Sequence, residues 1–241
     1  MKRTLTVTDL TRMGGAYVCV AGQAEDGEWV RLHSPRATEF DLTAGQAPVI
    51  YPAARIECDL LRHAPAPPHT EDYTYDPKSI RPTGRLAADE WQALLERSAF
   101  PSVAAVFEAP IHNDLGRYLL GGAGPRSLGT VRPRGIAGVS YARGAEGNWD
   151  YRLRFHDRAG EDYNLKITDY TWQRHCQAQR GPNQDPSAIA AALTRTLKQR
   201  TVYLRIGLAR KWKKFPERCY LQLNGVYTFP DYAEGRPFNE C

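Results

Sequence analysis

Apolar and polar residues alternate with a period of two through most of the first sixty positions, as strands with one buried face require. Leu5 and Val7 share a face of an opening strand, and Asp9 falls on the same side. Met13-Gly14-Gly15 supplies a flexible connection, after which Tyr17, Cys19 and Ala21 alternate with Val18 and Val20. Trp29 to His33 reads as a third short strand, ended by Ser34-Pro35 because proline restricts the residue before it. Ile56, Cys58 and Leu60 mark a fourth strand, from Val49 to about Arg62. Short strands joined by close turns predict a meander that curls into a small barrel.

The pattern then breaks. From His63 to Thr83 prolines stand at 65, 67, 68, 77 and 82, predicting a long surface strap. A helix follows over 87–97, with Trp91, Leu94 and Leu95 on one stripe and Asp89 and Glu90 in its first turn. Ser102 to Phe107 reads as a strand, and the glycine-rich stretch 116–129 as a break between units spanning 1–120 and 128–241. Beyond it, 151–155 and 162–167 form the arms of a hairpin around Asp157-Arg158-Ala159-Gly160. Thr168 or Asp169 caps a helix carrying Trp172 and Cys176, which stops at Gly181-Pro182. Asp185-Pro186 opens another, with Ile189, Leu193 and Leu197 on one stripe. Val202, Leu204 and Ile206, then Tyr220 to Leu223, give a closing strand pair. The expected fold is mostly β with inserted helices, arranged as two small barrels. One curved α+β domain is the alternative.

Charge adds a class of partner. The net charge is only +5, but 25 of the 32 basic residues are arginine, the side chain best suited to bidentate phosphate contacts. Between Arg195 and Arg218 there are nine Arg or Lys residues against the single acid Glu217. Arg205 lies opposite the Leu204–Ile206 face, so its side chain is expected in solvent or in a groove. Arg210, Lys211, Trp212, Lys213 and Lys214 read as an exposed loop with one aromatic inside a cationic fan, able to hold a phosphodiester backbone and stack on a base. Arg132 and Arg134 share strand parity and extend that surface, and Arg31 is a further candidate. A solvated loop and a wet strand face are the plain structural alternatives.

Signals for catalysis are sparse. Asp9, His33 and Asp169 all sit at element ends, and His33 beside Arg31 is the best placed of the six histidines for proton transfer. There is no PD…ExK pattern, HExxH, P-loop or GxGxxG. Asp169 is most simply a helix cap. No metal site and no cofactor are expected, a divalent ion entering only if the chain is an enzyme. The five cysteines lack CxxC spacing, which suits reduced thiols in the cytoplasm. No apolar run is long enough for a membrane helix, and MKRTLTVTDL reads as a strand.

Several short motifs resemble the bacterial dual-OB domain family. For a first module these are ThrVal…MetGlyGly…TyrValCysValAlaGly (6–22) and TrpValArg (29–31). For a second they are SerLeuGlyThrValArgPro (127–133), LeuLysIleThrAsp (165–169) and CysTyrLeuGlnLeuAsnGlyValTyrThrPhePro (219–230). The resemblance implies two OB-like barrels, engagement of nucleic acids or nucleotides, and a place in bacterial defence systems. It carries no catalytic residue set. The resulting expectation is a module binding single strands or phosphate backbone through basic and aromatic residues. The alternatives are an enzyme acting on a nucleotide or nucleic acid, and a protein-interaction module that docks an acidic partner.

Overall fold

A computed structural model describes residues 1–144, 147–180, 185–210 and 213–235. The first sheet begins with the antiparallel meander β1 (Lys2–Arg12), β2 (Tyr17–Ala24) and β3 (Trp29–Thr38). A single 3-10 turn (Glu39–Leu42) and the small hairpin β4 (Thr43–Ala44) and β5 (Ala47–Pro48) lead to β6 (Ala54–His63) and β7 (Asp72–Arg85). The strand order is β1-β2-β3-β7-β6, with β7 parallel to β3 and β6 returning to β1, so this sheet closes on itself. Its core is the alternating set read from the sequence, including Leu5, Val7, Val20, Ile56 and Leu60.

Two expectations fail here. β3 does not stop at Ser34-Pro35: it continues to Thr38 through a register shift between Leu32 and Ser34 and a cis peptide before Pro35. The strap does not stay on the surface either. Its second half is β7, the longest strand, paired with both β6 and β3. Tyr73 and Tyr75 carry it into the core, while Pro77 and Pro82 lie where the β6–β7 register is irregular and a missing donor costs least.

The rest of the chain builds the second layer. It contains α1 (Ala88–Arg97), β8 (Ala99–Phe100), α2 (Val103–Phe107), β9 (His112–Asn113), β10 (Arg117–Leu120) and β11 (Leu128–Val131). These are followed by β12 (Gly135–Arg143), β13 (Trp149–His156), β14 (Asp162–Ile167), α3 (Tyr170–Gln179), α4 (Pro186–Gln199), β15 (Thr201–Leu208) and β16 (Arg218–Phe229). Residues 103–107 are helical and not a strand. The Ser102 hydroxyl accepts from the Ala105 amide at 3.1 Å, and Val103, Val106 and Phe107 fall on one buried face.

Among the described residues the second sheet has nine strands in the order β12-β13-β14-β16-β15-β11-β8, with β10 and β9 branching from β16. It is open. The expected pair of barrels therefore does not form, and the molecule is a mostly-β α+β protein. Both edges that closure would have joined are taken. β15 pairs with β11. α4 lies along β12, where the Thr194 hydroxyl accepts from the Val139 amide at 2.9 Å and donates to the Ala190 carbonyl at 2.8 Å. An edge strand covered in this way has little need of a strand partner.

Candidate functional site

The basic residues singled out in the sequence divide when the chain folds. Arg205, expected in solvent, is fully buried. From β15 it reaches Asp9 on β1, with Nε 3.1 Å from both carboxylate oxygens and Nη2 2.8 Å from Oδ2. Its Nη1 donates to Thr130 at 3.0 Å, and the Trp29 ring lies 4.1 Å from the guanidinium. Arg31 is buried as well. Its Nε donates to Asp72 at 2.7 Å, its Nη2 to Ser127 at 3.0 Å, and Glu71 lies 3.6 Å away. Both arginines stitch the two sheets together, with every charge answered by a carboxylate. The alternation rule failed at Arg205 because both faces of β15 are covered.

Arg210 joins the same seam. Nη2 donates to Asp72 at 2.5 Å and to Nδ1 of His33 at 3.0 Å. Burial, then the neighbouring Arg210 charge, lowers the His33 pKa. Because arginine can only donate, His33 Nδ1 is an acceptor and Nε2 carries the proton. The imidazole thus offers a hydrogen-bond donor, and the lone pair a general base would use is already engaged. Asp9 and Asp169 are buried. Asp169 is the cap of α3: Oδ1 accepts from Thr171 and Trp172, and Oδ2 from Val226 on β16. Burial outweighs these donors and pushes its pKa up to about 7. None of the three catalytic candidates presents a free, exposed group.

The other candidates lie apart. Arg132 pairs with Glu96 at 3.4 Å and lies 5.9 Å from the Tyr203 ring, while Arg134 is exposed. Lys213 and Lys214 are exposed, with the Lys214 ammonium 5.6 Å from the Phe215 ring. Lys211 and Trp212 lie outside the described residues. Among the described residues no group of three His, Cys, Asp or Glu side chains is placed to hold a metal ion.

The fold instead brings together cations that the sequence reading passed over. A cleft of about 650 Å³ opens between the Met13-Gly14-Gly15 turn, the β13–β14 hairpin and α3. Arg12, Lys166 and Arg180 line it. Arg12 bonds Glu39 at 2.9 Å and lies 5.5 Å from the Tyr170 ring. Lys166 stands 3.7 Å from Asp150, a carboxylate that it shares with Arg152. Arg180 donates to the Tyr141 hydroxyl at 2.7 Å and lies 4.3 Å from the Trp149 ring, with Arg143 4.8 Å from the same ring. Among the described residues no carboxylate pairs with Arg180. At the turn a Cβ on Gly14 or Gly15 would meet nothing within 4 Å, and Gly15 has φ +69°, so the backbone there is open to close approach. Asn148, Gln173 and Gln177 add amide groups to the walls.

Cations outnumber acids in this cleft, aromatic rings flank Arg12 and Arg180, and two glycines leave a wall of bare peptide. That suits an anion with several oxygens. The only sequence cue was Arg12 beside a Gly-Gly turn. Its partners at 166 and 180 come from distant elements.

The family model of the dual OB-containing domain matches residues 2–226. The chain belongs to that family. Both sheets are consistent with it, sharing the order first-second-third-fifth-fourth with the third and fifth strands parallel; the second remains open. Dual OB membership describes the domain, and it carries neither the cytoplasmic location expected from the cysteines nor the defence role implied by the resemblance. No curated protein matches the chain. No helix among the described residues is long and apolar enough to cross a membrane.

Proposed function

We propose that this dual-OB chain is a binding module for nucleic acid or nucleotides, and that it grips their phosphates in the cleft between the Gly14-Gly15 turn and α3. One observation carries the reading. Arg12, Lys166 and Arg180 converge on a cavity of about 650 Å³ whose third cation has no carboxylate partner among the described residues. The buried arginines of the seam act as architecture, and the exposed Lys213 and Lys214 are assigned by this reading a further contact to a longer strand.

The test is titration of a fluorescently labelled single-stranded oligonucleotide, and of mononucleotides, at several salt concentrations. Arg180→Ala and Lys166→Ala are each expected to weaken binding about tenfold and to lower the salt slope by about one. A paired Lys213→Ala, Lys214→Ala variant is expected to weaken the oligonucleotide more than the mononucleotide. If the cleft variants bind as the parent does while the loop variant loses affinity, the cleft assignment is wrong. Divalent-metal-dependent turnover of labelled RNA, DNA or nucleotide would place the chain among enzymes.

A further inference from the structure

A second cavity, of about 660 Å³, lies on a different part of the molecule, where the first turn of α1 meets the end of β16 and the loop before β6. Its character is opposite to that of the cleft. Tyr51, Trp91, Tyr227 and Phe229 supply ring surface, and Pro48, Pro52 and Pro230 fill between them. Trp91 and Tyr227 meet edge to face at 5.1 Å, which fixes the orientation of the wall. A volume in this range with mostly aromatic and apolar walls suits a small organic molecule.

The polar groups at this cavity favour one sign of charge. Arg85 is exposed at the wall, lies 5.7 Å from the Tyr51 ring and, among the described residues, pairs with no carboxylate. Ala87 and Ala88 line the cavity where α1 begins, but Glu90 Oε2 already accepts from the Ala87 amide at 2.9 Å, so the positive charge offered to a ligand is that of Arg85. Asp231, the acid in the lining, is committed: Oδ1 accepts from the Ala233 amide at 3.1 Å and Oδ2 from the Gly235 amide at 3.0 Å. The hydroxyl oxygen of Thr171, also in the lining, is buried without a hydrogen-bond partner.

We infer that this cavity binds an amphiphilic organic anion: an aromatic or aliphatic body held among Trp91, Tyr51 and Phe229, with one carboxylate, sulfonate or phosphate head at Arg85. The site is separate from the phosphate cleft and does not depend on it.

Anilinonaphthalene sulfonate serves as the probe, with phenylnaphthylamine as the uncharged counterpart, titrated into the full chain by fluorescence and calorimetry. Saturable one-to-one binding of the sulfonate is expected. Arg85→Gln should weaken the sulfonate about tenfold and leave the uncharged probe unchanged. Ala88→Trp, which narrows the mouth from an exposed position, should weaken both. Arg180→Ala, in the cleft, should affect neither, so loss of the cleft reading would leave this result standing. Circular dichroism confirms that each variant is folded. The inference is overturned if the parent shows no saturable binding, or if Ala88→Trp leaves binding intact. It is likewise overturned if Arg85→Gln affects both probes equally.

Discussion

Arg205 shows how far a single side chain departs from a pattern when its element is buried on both sides. Alternation along β15 puts it opposite Leu204 and Ile206, and in an ordinary half-buried strand that means solvent. Here it means a second buried layer, and the guanidinium is tolerable only because Asp9, Thr130 and Trp29 surround it. Removing one partner of a buried pair strands the other charge, at a cost of about 3–5 kcal/mol. Asp9→Ala should therefore lower stability to urea by about that amount. The double change Asp9→Leu, Arg205→Met should recover most of the loss, since neither charge is then left bare. If the double variant is as unstable as the single one, packing and not charge holds the seam. Sequence could name these two residues, and it did. It could not pair them, because 196 positions separate them and no local rule spans that distance.

At the scale of the element, the pattern was a good guide wherever one face was buried and the other wet. The hairpin over 151–167, the capped starts of α3 and α4 and the stripe on α1 were all legible because each obeys a short-range rule. The failures share a cause. β7 was hidden by prolines that occupy irregular positions of the ladder, and 102–107 carried an apolar run too short to separate strand from helix by period. The cleft was illegible for another reason: its cations come from β1, β14 and the end of α3, and only the fold makes them neighbours. The open edge of the second sheet depends on Thr194 in the same non-local way. Thr194→Val keeps the shape but leaves the Val139 amide without its acceptor. A loss of about 1–2 kcal/mol is expected, with faster hydrogen exchange at Val139 as the specific sign. Unchanged exchange there would mean that the helix covers β12 by packing alone.

For the whole molecule, the seam gives stability a dependence on acid. His69 sits in it with both ring nitrogens buried and lacking hydrogen-bond partners, and burial together with the charges of Arg31 and Arg210 lowers its pKa to about 3. In the unfolded chain the ordinary value is 6.5. Below pH 6.5 the unfolded state takes up a proton that the folded state refuses, so His69 opposes folding increasingly down to about pH 3. Asp169 works the other way, because its raised pKa of about 7 lets the folded state hold a proton that the unfolded state releases. The two offset each other in the parent. A His69→Leu variant should expose the balance, gaining stability relative to the parent by about 1.4 kcal/mol per pH unit as pH falls from 6.5 towards 3. A constant difference across that window would show that the histidine is protonated or hydrated in the native protein.

The joint between the sheets also bears on how such a protein can evolve. Glu71 reaches across it to the Ser127 and Leu128 amides, Tyr227 donates to the Thr8 carbonyl, and Asp9 answers Arg205. A gene fragment encoding either half would inherit one member of each couple and not the other. Two sheets joined by such complementary buried groups are not free to be shuffled independently as beads on a string are. They pass on together, and drift at one side of the joint is restrained by what stands on the other.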